Sequence, residues 1–157
     1  MKKKTIWSLL FIITIFLIDR ITKILVINSA EEIGEVNISL TSFLNINLIW
    51  NEGIAFGLFS FDEKIYYNLL TFLIIVVTLI ILWMIVKTEK IEKLAFMMIF
   101  GGSLGNIFDR LIYFAVPDFI DFHVKNFHWF IFNVADIFIT VGVILLIYNE
   151  LFLRKNI

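Results

Sequence analysis

The chain has 157 residues, of which 61% are hydrophobic and 17% charged, against about 25% charged in ordinary globular domains. With 18 phenylalanines and a formal net charge of −1, it has the composition of a membrane protein, and its charge points to no nucleic-acid partner. There are no cysteines, which excludes disulfides, thiolate zinc sites and a cysteine nucleophile, and two histidines are too few for a His-rich metal site.

Taken in chain order, the first apolar stretch covers residues 6–27, near the ~20 residues that a ~30 Å hydrocarbon core requires. Its basic start, Lys2, Lys3 and Lys4, resembles that of a signal peptide. However, the apolar run exceeds a signal h-region of about 7–15 residues, and "INSA" is a poor cleavage site. It also contains Asp19, Arg20 and Lys23, and is expected to be a retained helix. A long connection, residues 28–64, follows; within it "NINLIW" alternates polar and apolar residues and reads as a strand. Further membrane helices are expected at residues 65–86, 94–114 and 129–153, with residues 115–128 as a second connection. The whole is expected to be one membrane-embedded domain, 1–157.

Lysine and arginine placement sets the orientation. Lys2, Lys3, Lys4, Lys87, Lys90, Lys93, Arg154 and Lys155 fall on one side if there are four crossings. Lys64 and Lys125 lie in the loops of the other side. Both termini are therefore expected in the cytoplasm, with both long connections facing outward. Asp19 and Lys23 then approach the outward end of helix one, and Asn106, Asp109 and Arg110 that of helix three. Asp118 follows directly, and Asn133 and Asp136 open helix four. Polar groups of three helices thus gather at one depth.

Each cluster has a plain alternative. Asp19 and Lys23, four apart, can pair on one helix face, either as a neutralised interfacial pair or as part of a site. In "GGSLGNIFDR", Gly101 and Gly105 are spaced for close helix approach, and Gly102, Asn106 and Asp109 share one stripe. Asp109 and Arg110, adjacent in sequence, should find separate partners. In "NEGIAFG", Asn51, Gly53 and Gly57 suggest a tight turn, or a side chain that hydrogen-bonds a peptide substrate. In "FNVAD", helix capping accounts for Asn133 better than for Asp136, which lies inside the apolar run. His123 and His128 flank a short loop, and no metal-binding spacing is present.

With no Ser–His arrangement and no cysteine, a covalent acyl-enzyme is disfavoured. Two aspartates sharing one proton can activate water against a peptide carbonyl, one as general base and the other as acid. Asp118 and Asp136 are the candidates. A small proton- or ion-coupled four-helix transporter would use the same residue types, so the chemistry alone leaves both readings open.

Five stretches in order, "DRITK", "NEGIAFG", "GGSLGNIFDR", "VPDFIDF" and "FNVAD", closely resemble the bacterial lipoprotein signal peptidases, signal peptidase II, over nearly the full chain. Pro117 stands where that family more often has an apolar residue. The resemblance implies an all-α, four-transmembrane-helix bundle with a small extracytoplasmic β-structure and a partly helical loop. It implies an aspartic endopeptidase that cleaves diacylglyceryl-modified prolipoproteins just before the lipidated Cys, in the bacterial inner membrane, with its site near the outer face. The catalytic pair falls on Asp118 and Asp136, with Asp121 a neighbour. Asp19, Lys23, Asn51, Gly53, Asn106, Arg110 and Asn133 match positions that line or support the site. No metal or cofactor is implied. The expected partners are the lipidated substrates and membrane lipids, not nucleic acid, with the protein a monomer.

Overall fold

The computed structural model describes residues 3–34, 36–53, 64–125 and 127–153. Four helices carry a four-stranded sheet. Helix α1, Lys3–Ile33, is 31 residues long, or about 46 Å at the α-helical rise. It continues past the expected end at residue 27, because Ala30, Glu31 and Glu32 favour helix. Gly34 then stops it: its φ is +83°, and its N–H closes on the Ala30 carbonyl at 2.9 Å.

Strands β1 (Asn37–Thr41) and β2 (Leu44–Asn51) follow, and β2 contains the "NINLIW" read as a strand. Helices α2 (Lys64–Lys87) and α3 (Lys90–Tyr113) come next, close to their expected bounds. The chain then departs from expectation. The connection read as a loop is strand β3, Val116–Val124, and residues 127–132, partly assigned to helix four, are strand β4. Aromatic and β-branched residues such as Ile120, Phe122, Val124, Phe127 and Phe130 suit a sheet, and apolar composition alone does not separate such a strand from a membrane helix. Lys125, with φ 54°, lies in the hairpin turn. Helix α4 is accordingly shorter, Val134–Tyr148, and continues as a π-helical turn, Asn149–Leu153.

The sheet has the order β1-β2-β3-β4, antiparallel throughout. The fold is thus mostly helical, with a small antiparallel sheet of four strands, in keeping with the small β-structure expected beside the helices. Among the described residues, three stretches are long and apolar enough to cross a membrane: Ile65–Lys87, Lys90–Tyr113 and Val134–Leu153. Helix α1 is the fourth helix and carries Asp19, Arg20 and Lys23 buried against its neighbours. Leu69, Phe72, Leu79, Trp83 and Ile144 are among many large apolar side chains left exposed, as expected where lipid is the surrounding medium.

The glycines of α3 act as the small-residue spacing predicts. A Cβ on Gly101 would lie 3.0 Å from the Ile15 Cβ of α1. One on Gly102 would press on the Ala135 carbonyl, and one on Gly105 on the Asp19 carboxylate. Helix α3 therefore touches α1 and α4 nearly backbone to backbone, and this brings its polar stripe within reach of both.

Candidate functional site

The site begins with the start of α4. Asn133 is its N-cap, and the side-chain oxygen accepts from the Asp136 N–H at 3.1 Å. The Asp136 carboxylate accepts in return from the Asn133 N–H, 3.2 Å away at Oδ2. This reciprocal capping box satisfies two backbone donors that a helix start otherwise leaves open. Capping therefore involves Asp136 as much as Asn133, contrary to expectation, because Asp136 occupies the third helical position and not a deeper one.

Asn133 also faces the other way. It is fully buried, and its Nδ2 donates to Asp118 Oδ1 at 2.6 Å. Asp118 Oδ2 accepts from Asn51 Nδ2 at 2.8 Å, and Asn51 is held by its own turn, its Oδ1 accepting from the Gly53 N–H at 2.9 Å. Asp136 Oδ1 accepts from Asn106 Nδ2 at 2.8 Å. The two carboxylates expected to act together are thus joined through a single residue, and each receives two N–H donors. Asp118 is 4% exposed. Burial pushes its carboxyl up from the usual 3.8 to about 6, helped by the neighbouring Asp136 charge and opposed by the bonds from Asn51 and Asn133. Opposite forces on one carboxyl near neutral pH are what acid–base chemistry needs.

Beneath lies a buried ionic cluster. Lys23 Nζ is 2.9 Å from Asp19 Oδ2 and donates to Asp109 Oδ2 at 2.7 Å and Asn106 Oδ1 at 2.9 Å. Arg20 pairs with the other oxygen of Asp109 and lies over the Phe108 ring, 5.0 Å from its centroid. Two acids and two bases balance, which is the condition for burying any of them. The cluster reaches the carboxylate pair twice. Lys23 fixes the Asn106 oxygen, so that its amide N–H₂ faces Asp136. Asp19 Oδ1 accepts from the Ala135 N–H at 2.9 Å, tying α1 to the first turn of α4.

Arg110 takes a separate partner from Asp109, as its position predicts: it donates to the Gly53 carbonyl, and Tyr67 donates to the Arg110 carbonyl at 3.4 Å. The turn of "NEGIAFG" is therefore tied to α3. Its remainder, residues 54–57, and the expected partly helical loop lie outside the described residues. Asp121 does not join the pair. It is buried on β3 and bonded to His128. Sequence reasoning did not single out Arg20 as the partner of Asp109, nor Tyr67 or the Asp121–His128 contact. Arg20 is the one with a usable signal, since a second cation in the same apolar helix demands a second anion.

The arrangement has counterparts. Residues 11–152 match the family model described as signal peptidase (SPase) II. The chain belongs to the signal peptidase II family. A lipoprotein signal peptidase from Pelagibacter ubique (strain HTCC1062) is 51% identical over 149 residues, covering 95% of this chain and 90% of that protein. One from Francisella tularensis subsp. novicida (strain U112) is 40% identical over 152 residues, 93% of each. Among solved structures, a bacterial membrane enzyme determined by the in meso method at 1.9 Å resolution superimposes with a TM-score of 0.75 at 27% identity, covering 92% of both chains. A related 2.3 Å structure gives 0.74 at 28% identity, covering 92% of this chain and 87% of that one. These matches are to peptidases and a membrane enzyme, and they leave the transporter reading without support.

Proposed function

We propose that this signal peptidase II family member is an aspartic endopeptidase that removes signal peptides from prolipoproteins; its relatives are named lipoprotein signal peptidases. The substrate carries diacylglycerol on a cysteine, and the cut falls just before that cysteine. The observation that carries the reading is the bridging of Asp118 and Asp136 by Asn133, with four N–H donors converging on the two carboxylates.

In this mechanism Asp118 enters protonated, in keeping with its raised affinity for the proton. It donates to the scissile carbonyl oxygen while Asp136 takes a proton from the attacking water. The tetrahedral intermediate collapses as a proton passes to the departing amine. Asn51, Asn106 and Asn133 hold the carboxylates so that little reorganisation accompanies the charge movement. Arg110 and Gly53 shape the adjoining turn, and Lys23 and Asp19 anchor the frame. The chain crosses the bacterial inner membrane four times, as a monomer with both termini cytoplasmic, and opens its site near the outer face. Incubation of the purified protein with a lipid-modified prolipoprotein, followed on a gel, tests this. A mobility shift that vanishes in Asp118→Asn is expected; a shift that persists overturns the proposal.

A further inference from the structure

Asp121 is 1% exposed in β3, where a buried polar side chain needs a hydrogen-bonding partner. Among the described residues, its side-chain partner is His128 of β4. Nδ1 lies 2.9 Å from Oδ1 and 2.8 Å from Oδ2, so one ring nitrogen serves both oxygens. In the ladder Asp121 stands opposite Ile131, and His128 opposite His123, so this bond runs diagonally across the hairpin. It spans the register shift between Phe122 and His123. His123 stacks on the His128 ring at 5.2 Å, and its own Nδ1 is 3.1 Å from the Lys125 carbonyl in the turn.

The hairpin's other end is the candidate site. Strand β4 ends at Phe132, and the next residue, Asn133, reaches back to Asp118 near the start of β3. Strand β3 is therefore held twice, by Asp121–His128 to β4 near the turn and by Asp118–Asn133 to the residue that follows β4 at the open end. A slip of one residue along this ladder turns side chains to the opposite face. It would carry Asn133 away from Asp118.

We propose that Asp121 and His128 form a clamp that holds the β3–β4 register, and so act as positioning residues for Asp118. The inference rests on the peptidase reading for its effect on rate, but not for its effect on geometry. Two measurements on the full chain in proteoliposomes separate them. In cleavage of a lipid-modified prolipoprotein, His128→Ala lowers kcat by about tenfold while KM stays within about twofold. His128→Asn, whose amide can donate to the same carboxylate, restores most of kcat. Asp121→Ala matches His128→Ala, and the double variant is no slower than either, since one interaction is lost in all three. Independently, with asparagine labelled by ¹⁵N, the Asn133 side-chain amide signal moves in His128→Ala and returns in His128→Asn. An Asn variant as slow as Ala, an additive double variant, or an unmoved Asn133 signal in His128→Ala overturns the clamp. Absence of cleavage by the unaltered chain instead overturns the peptidase reading, and the amide signal still decides on the clamp.

Discussion

At the scale of single residues, the proposed chemistry rests on the pair of carboxylates, and the asparagines hold that pair in place. Asp118→Asn and Asp136→Asn each keep the side-chain shape but cannot exchange the proton, so cleavage should fall by about 100-fold to 10,000-fold in a gel assay, with the folded state retained. Asp121→Asn keeps an acceptor for His128 and should retain substantial activity. The pH dependence follows from the raised Asp118. Acting as acid, it must hold its proton, so the rate should decline as pH rises through about 6. A pair working as one acid and one base gives a bell-shaped profile whose apparent pKa values belong to the pair. A rate profile of the purified enzyme checks this, and a flat profile across acidic and neutral pH counts against a shared proton. These residues were legible in the sequence because each stands out as polar in an apolar context. The role of Tyr67 was not, because a partner on another helix leaves no local spacing, and for Arg20 the charge count signals only that an anion must exist, not which one.

Among the elements, α3 is the one that joins α1 to α4, through its glycines and its polar stripe. Gly105 meets the Asp19 carboxylate, Gly102 meets the start of α4, and the stripe of Asn106 and Asp109 receives Lys23. Gly105→Ala should therefore do more than crowd a helix contact. It displaces Asp19 from both Lys23 and the Ala135 N–H, with overpacking that costs about 1–3 kcal/mol. Thermal unfolding in detergent should record the loss, and peptide cleavage should fall with it. Helices α2 and α3 were readable to within a few residues, since an apolar run of that length in a membrane chain fits little besides a spanning helix. The β3–β4 hairpin was not. "FHWFIF" is as apolar as a helix segment, and what makes it a strand is the pairing with β3 across the sheet. Helix α1 overran its apolar stretch for the converse reason: good helix formers extended it to the first glycine able to stop it.

Across the whole molecule, the placement of lysines and arginines and the position of the site make one prediction each. A reporter active only in the cytoplasm should work when fused after Lys90 or Asn156 and be silent after Glu32; activity after Glu32 would reverse the topology. The second concerns the lipid on the substrate. A buried methylene contributes about 0.8 kcal/mol when withdrawn from water, but acyl tails in a bilayer are already dry, so that gain is unavailable. On the proposed function, the lipid acts instead by fixing the cysteine at the depth of Asp118 and Asp136, turning encounter into oriented attack. An unlipidated precursor inserted in the same membrane should then be cut far more slowly even at saturation. Equal rates in reconstituted vesicles would favour a general intramembrane aspartic protease.

The double duty of Asn133 has a consequence for how the protein is made. Its side chain caps α4 and, through the other end of the same amide, touches Asp118. Helix α4 comes last among the helices in chain order. While a ribosome is still extending the chain, α1 to α3 and strand β3 can be in place, yet the two aspartates have nothing to bring them together. Only when the final helix begins to wind does its first hydrogen-bonded turn also close the pair. On the proposed function, winding of α4 and assembly of the catalytic pair are therefore one event, and a variant that frays the first turn of α4 should lose activity along with helix.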